Sequence, residues 1–320
     1  MTLLRLFRRN TNANPAAADP APAEASPPRV DVSPEAGDAT PASPAESTTR
    51  FERITAALDK SGKGLEIGPS HNPIMAKRDG YDVETVDHLD QQGLIDKYRE
   101  HGIDLSRIEP VDYVWTGQSL PELIGQTGRY DWIIASHVIE HAPDVVGFLQ
   151  QCLQLLKPNG VLSLVVPDRR YCFDYLRFPS TTGAMVQAHL EHRRRHSPGQ
   201  LVDYVATVSN LQGRIAWNPD DGGPVAFSHS LEQAGSMLSG YLTHEEYVDM
   251  HGWVFTPSSF RLAMSDLNAL GLIQMREVGH FGTHASEFYF SYSPGKDDRT
   301  VDRLALCKRI LDEIINERLS

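Results

Sequence analysis

The 320-residue chain is poor in cysteine, in long apolar runs and in positive charge. Its three cysteines, Cys152, Cys172 and Cys307, are widely scattered. That spacing suits neither a disulfide framework nor a cysteine-built zinc site, and it fits a reducing, cytoplasmic setting. No apolar run approaches the ~20 residues of a transmembrane helix, so no transmembrane segment is predicted. Thirty Lys and Arg face 42 Asp and Glu, a formal net charge of -12. This balance argues against a nucleic-acid partner held through its phosphates, which needs a basic face.

Large apolar residues are also scarce between Met1-to-Asn10 and Arg50, where Ala, Pro, Ser, Thr and acids dominate. Such a segment cannot bury enough surface to offset its ordering entropy, so residues 1–50 are read as a disordered leader. Its tip, Leu3-Leu4-Arg5-Leu6-Phe7-Arg8-Arg9, is short, basic and apolar. A leader without a fixed role, a partner peptide and a weak membrane-surface contact all fit it. A transit peptide fits less well, because acids begin at Asp19, and a secretory signal lacks its apolar core.

Beyond residue 50, apolar runs alternate with amphipathic stretches. Phe51, Ile54 and Leu58 recur at helical spacing until Ser61-Gly62. Gly64–Ile67 and Val83–Asp87 read as strands. About fifteen residues join them, close to the minimum for a parallel crossover, so its helix must be short or distorted. A helix over 89–100, strands over 111–115 and 132–136, a helix over 144–156 and a strand over 161–166 follow. Lys157-Pro158-Asn159-Gly160 stops the fourth of these elements. Residues 171–242 break the alternation and read as a partly helical insertion over the site. A helix over 257–270, strands over 273–278 and 287–292 and a helix over 299–319 complete the chain. Leu304, Cys307, Leu311 and Ile314/Ile315 are the expected packing stripe of the last helix. The expected fold is α/β, a Rossmann-like, mostly parallel seven-stranded sheet. Its parts are a leader (1–50), a cofactor-binding core (51–170), the insertion (171–242) and the completion of the core (243–320).

Gly64-Leu65-Glu66-Ile67-Gly68-Pro69-Ser70, followed by Val83-Glu84-Thr85-Val86-Asp87, is a strand, a small-residue loop, a strand and an acid. That arrangement cradles a nucleoside at the carboxyl edge of a parallel sheet. Downstream stand YDWIIASHVIEH, from Tyr130 to His141, and Leu155-Leu156-Lys157-Pro158-Asn159-Gly160 leading into an apolar strand and Asp168. In order and spacing these segments resemble class I S-adenosylmethionine-dependent methyltransferases, over roughly residues 51–170 and more loosely 243–293. The resemblance implies S-adenosylmethionine as cofactor, with Glu66 and Gly68 lining its methionine end. Ser70 and Asn72 replace two glycines frequent in the family, which implies a tighter pocket or hydrogen bonds to the methionine carboxylate. Asp87 stands where the family places the acid for the ribose hydroxyls. Asp90 is its neighbouring alternative, or a helix N-cap. Thr116 or Gln118 would take the adenine amine, where the family commonly has an acid. Ser136 and His137 would form the floor beneath the transferred methyl group.

An oxygen acceptor must lose a proton, and histidine is suited to take it near neutral pH. The candidates are His137 and His251, with His192 and His196 beside them. Asp249 and His251 would share one face of an extended segment. Arg169 and Arg170 follow a strand at the substrate edge and could meet an anionic acceptor. Arg193 to Arg195 form either a solvated helix face or a lid. His137-Val138-Ile139-Glu140-His141 also matches a zinc-peptidase pattern, but it begins at the end of a buried strand instead of mid-helix. The reading therefore assigns no metal. Glu140 and His141 remain as residues that position the next helix or bind a divalent ion, and packing is the simplest role for His141. The expected function is methyl transfer from S-adenosylmethionine to a small-molecule or glycan acceptor. A non-catalytic cofactor-binding module, suggested by Ser70, Asn72 and Thr116, and a zinc hydrolase are the rivals.

Overall fold

The computed structural model describes residues 48–315. Residues 1–47 of the expected leader and the end of the closing helix lie outside the described residues, whereas Thr49 and Arg50, read as part of the leader, cap and open a helix. From Thr49 the chain forms one compact unit.

Strands β1 (Gly64–Ile67), β2 (Val83–Asp87), β3 (Tyr113–Val114), β4 (Tyr130–Ser136) and β5 (Leu156–Pro167) run parallel in the spatial order β3-β2-β1-β4-β5. The sheet has seven strands. It ends in β9 (Glu287–Pro294) and β8 (Met275–His284), with β9 antiparallel to both β5 and β8. β1 is buried along its whole length, as an inner parallel strand covered on both faces must be. One face packs against α4 (Val145–Leu155) and α8 (Pro257–Ala269) through Phe148, Leu149, Phe260 and Met264. The other face is covered by Ile54 of α1 (Arg50–Thr55) and by Met75 from the β1–β2 connection.

Several boundaries differ from those the sequence suggests. The crossover after β1 carries only a three-residue 3₁₀ turn, Lys77–Asp79, in keeping with its short span. Helix α2 is Gln91–Tyr98, and Asp90 caps it by accepting from the Gly93 amide at 2.8 Å. β3 shrinks to two residues; just before it, the Asp112 side chain accepts from the Thr85 amide at 2.8 Å. β9 extends to Pro294 and β8 to His284, beyond the expected ends, because the two pair antiparallel along their length, with β9 buried between β5 and β8. Helix α9 (Arg303–Ile315) does not use the expected apolar stripe. Leu306 is its buried residue, whereas Leu304, Cys307, Leu311 and Ile315 are exposed. It leans on α8 through polar contacts instead, Arg303 with Asp266 and Ser258 with Glu313.

Between β5 and α8 lie α5 (Thr182–Leu190), α6 (Pro198–Thr207), the β6–β7 hairpin (Ser209–Leu211, Val225–Phe227) and α7 (Leu231–Leu242). Leu201, Tyr204, Val205, Ala234, Tyr241 and Met250 form their small core. The segment after α7 returns to the sheet edge: the amides of Gly252 and Trp253 both donate to the Glu140 carbonyl, at 2.8 and 3.2 Å. The Trp253 indole donates to the Ala142 carbonyl at 2.6 Å.

Candidate active site

Parallel strands bring Gly68, Asp87, Ser136 and Pro167 to one edge of the sheet, because each stands at or just beyond the carboxyl end of its strand. Glu287 joins them, since β9 runs the other way and starts opposite Pro167.

The β1–β2 side is built largely from main chain. Gly68 has φ +70, which a side chain tolerates poorly, and a Cβ there would lie 3.1 Å from Val138. Ser70 also adopts positive φ. Its amide donates to Asp87 Oδ2 at 2.9 Å, and its hydroxyl donates to Tyr98 at 2.6 Å. The buried Asp87 also accepts from the His88 amide at 2.8 Å and lies 2.6 Å from its ring. Glu66 is buried and turns toward its own loop, accepting from the amides of Ile74 and Met75 at 2.8 and 3.1 Å. Burial dominates its ionisation and pushes its pKa up to about 7, although those two amides favour the anion. Past β3, the Thr116 amide and hydroxyl both donate to the Gln118 side chain at 3.0 Å, so these two residues form one local knot.

The β4 side is built from side chains. After Ser136 the chain bends instead of entering a helix: His137 has φ +55, a 3₁₀ turn spans Ile139–His141, and α4 begins only after Asp144 caps it. His137 Nε2 lies 2.7 Å from Glu287 Oε2, and its Nδ1 lies 3.6 Å from Glu140 Oε1. Arg50 clamps Glu287 at 2.6 Å and donates to Ser136 Oγ at 2.9 Å. Burial alone would raise the Glu287 pKa. The bonds from His137, Arg50 and Tyr289 outweigh it and hold the group down at about 2.

Beneath His137 lies a second layer. His251 is buried, with Nδ1 2.5 Å from Asp174 Oδ2 and Nε2 3.9 Å from Glu140 Oε1. Arg177 supports this pair, donating to Asp174 at 2.9 Å and to the His251 carbonyl at 2.7 Å. His141 Nδ1 lies 2.8 Å from Asp249 Oδ1, so Asp249 and His251 do converge on one locus. Burial would lower the His141 pKa, but Asp249 and Glu140 raise it on balance.

The other sequence candidates stand apart from this cluster. Arg169 is buried and donates to the Tyr175 carbonyl. Arg170 is engaged by Asp168 at 2.6 Å and by Thr283 at 3.2 Å. The two arginines therefore brace the β5 end instead of presenting free charge to an acceptor. Arg195 donates to the carbonyls of Tyr241 and His244, which ties α7 to the turn after α5; the charged run lies in that turn and not on a helix, with Glu191, His192 and Arg194 exposed. His192 is exposed in that turn. His196 is buried against Gly252, where a Cβ would come within 2.2 Å of its ring, and burial pushes its pKa down to about 3.

Sequence reasoning passed over Arg50, Asp174 and Glu287. An acid opening the apolar run Glu287-Phe288-Tyr289-Phe290 was a usable signal for the last. Arg50 and Asp174 carry no comparable local mark.

The profile of a family described as a methyltransferase domain matches residues 42–269, well over half of the chain. A ubiquinone biosynthesis O-methyltransferase from Xanthomonas oryzae pv. oryzae is 31% identical over 129 residues, 39% of this chain and 52% of that protein. One from Rhodopseudomonas palustris is 39% identical over 62 residues, 19% of this chain and 23% of the relative. The match thus spans about half the length of the first of these curated relatives. Among solved structures, the CcbJ methyltransferase from Streptomyces caelestis aligns over 79% of this chain and 99% of its own, at 13% identity and a TM-score of 0.39. That likeness is too weak to carry an argument.

Proposed function

From the premise that the chain belongs to the S-adenosylmethionine-dependent methyltransferase family, we propose that it moves a methyl group from that cofactor to a hydroxyl of a small-molecule acceptor. The buried Asp87 carboxylate, held by the Ser70 amide beside the Gly68 turn, carries the reading. Of a carboxylate's roughly four acceptor sites the Ser70 amide and the His88 amide and ring take three, so one ribose hydroxyl fits directly and its vicinal neighbour would take the place of the His88 ring. Gly68 and Ser70 would hold the methionine end, with Glu66 bracing their loop from behind. Thr116 and Gln118 would face the adenine. The cofactor, when bound, supplies an electrophilic methyl group on a sulfonium.

In-line displacement demands alignment and exclusion of water above all. Ser136 and His137, at the end of β4, would form the floor of the reacting site. His137 is assigned as the proton acceptor: it is the half-exposed histidine at that edge, and Glu287 orients it at 2.7 Å. His251 lies deeper and bonds to Asp174, so it is not assigned that role. The relatives named as O-methyltransferases support an oxygen acceptor. A saccharide hydroxyl stays within the same chemistry. The scattered free cysteines suit a cytoplasmic enzyme, and no helix among the described residues is long and apolar enough to cross a membrane.

The test is release of S-adenosylhomocysteine from purified protein given the cofactor and separate panels of phenolic, aliphatic and saccharide hydroxyl compounds. Release with one panel identifies the acceptor class. Tight cofactor binding without release in any panel would replace this reading by the non-catalytic module.

A further inference from the structure

Glu140 is fully buried, and neither of its carboxylate oxygens has a hydrogen-bond partner. Burial of an unpaired carboxylate is costly, so something must compensate it. Its surroundings are three imidazoles. His137 Nδ1, His141 Nε2 and His251 Nε2 lie 3.6, 3.9 and 3.9 Å from Glu140 Oε1. Those separations are too long for hydrogen bonds. They are close to what one ion would impose, since two donors each about 2.1 Å from a tetrahedral zinc sit roughly 3.4 Å apart. One donor atom each from Glu140, His141 and His251 falls within 4.8 Å of the others.

The far side of each ring faces a carboxylate. His251 Nδ1 bonds to Asp174 at 2.5 Å, and His141 Nδ1 lies 2.8 Å from Asp249, an ion-pair distance without hydrogen-bond alignment. A carboxylate behind a histidine fixes its tautomer and orientation and makes the inner nitrogen a better ligand. Asp174 is in turn anchored by Arg177. The His141 and Asp249 side chains are 28% and 49% exposed, which gives an ion a way in from solvent.

We propose that Glu140, His141 and His251 bind one divalent first-row transition-metal ion, zinc being the best match to two imidazoles and a carboxylate. This goes beyond the methyl-transfer reading and does not depend on it. It also departs from the sequence expectation of no metal. The His-x-x-Glu-His pattern supplies two of the three donors, but His251 arrives from the segment that follows the insertion, and the bend at His137 replaces the peptidase helix.

The full chain, stripped with a chelator, is titrated with Co²⁺ in the absence of cofactor and acceptor, reading visible d–d absorption and melting temperature. One equivalent should bind, raise the melting temperature and be displaced by Zn²⁺. Glu140→Gln and His141→Gln should each weaken binding about tenfold or more. His280→Ala, at an exposed histidine beside Glu277, should leave it unchanged. Circular dichroism on each variant separates loss of the site from loss of the fold, and partly exposed His141 keeps the test decisive if a buried variant unfolds. No saturable Co²⁺ binding by the folded wild type would overturn the proposal. So would affinity unchanged in both Glu140→Gln and His141→Gln.

Discussion

Glu66 and Glu287 are both buried carboxylates near the carboxyl edge of the sheet, 2% and 8% exposed. Glu66 faces two backbone amides and is held up near neutrality, at about 7. Glu287 faces Arg50, His137 and Tyr289 and is held down at about 2. The contrast extends to the regions around them. The β1–β2 side is a loop cradle made from neighbours in sequence, with Gly68, Ser70 and Asp87 within one crossover. The β4 side is a charged side-chain network gathered from Arg50, His137, Glu140, Asp174, Asp249, His251 and Glu287. The first suits a ligand common to a whole family, recognised through main chain and one acid. The second is where one acceptor would be distinguished from another, because side chains from distant segments can change independently.

Removing His137 should separate the two regions most sharply. His137→Ala is expected to lower turnover on the identified acceptor by about a hundred- to ten-thousandfold, the span of general-base catalysis. Cofactor affinity should hardly move. Stopped assays with saturating cofactor check this, and full turnover in the variant would remove His137 as base.

The two carboxylates should next reveal themselves as opposite pH dependences of stability. Glu66, with its folded pKa raised, stabilises fully below the unfolded value and loses that contribution as pH rises from about 4.5 through 7. Over that window the stability of wild type relative to Glu66→Gln should fall by roughly 3 kcal/mol. Glu287, with its folded pKa depressed, stabilises above the unfolded value and loses that contribution as pH falls from about 4.5 through 2. Denaturant titrations of wild type, Glu66→Gln and Glu287→Gln across pH decide it. Parallel pH curves for all three proteins would contradict the assigned surroundings.

The same division explains what the sequence let one read. Buried strands announce themselves as apolar runs, and Gly68 and Asp87 follow two of them directly, so the sheet and the cradle were legible. Short-range signals also found Asp90 as a cap. The β4 side was legible only in pieces. His137, Glu140, His141 and His251 stand out as residue types, but Asp174 and Arg50 look like ordinary charged residues until the fold brings them across. Arg169 and Arg170 misled for the same reason: their position after β5 was right, and only packing reveals that Asp168, Thr283 and the Tyr175 carbonyl engage them. Likewise the periodicity of α9 suggested a buried stripe, while its neighbours bury Leu306 fully and Ile314 only in part.

The central claim is that the Asp87 cradle on the β1–β2 side, and not the β4 network, sets the affinity for the cofactor. Calorimetric titration of S-adenosylmethionine into wild type, Asp87→Ala and His137→Ala tests it directly. Asp87→Ala should weaken binding by roughly 1.5–3 kcal/mol, the scale of hydrogen bonds to a charged group, while His137→Ala stays near the wild-type affinity. Unchanged affinity in Asp87→Ala, or an equal loss in both variants, would contradict it.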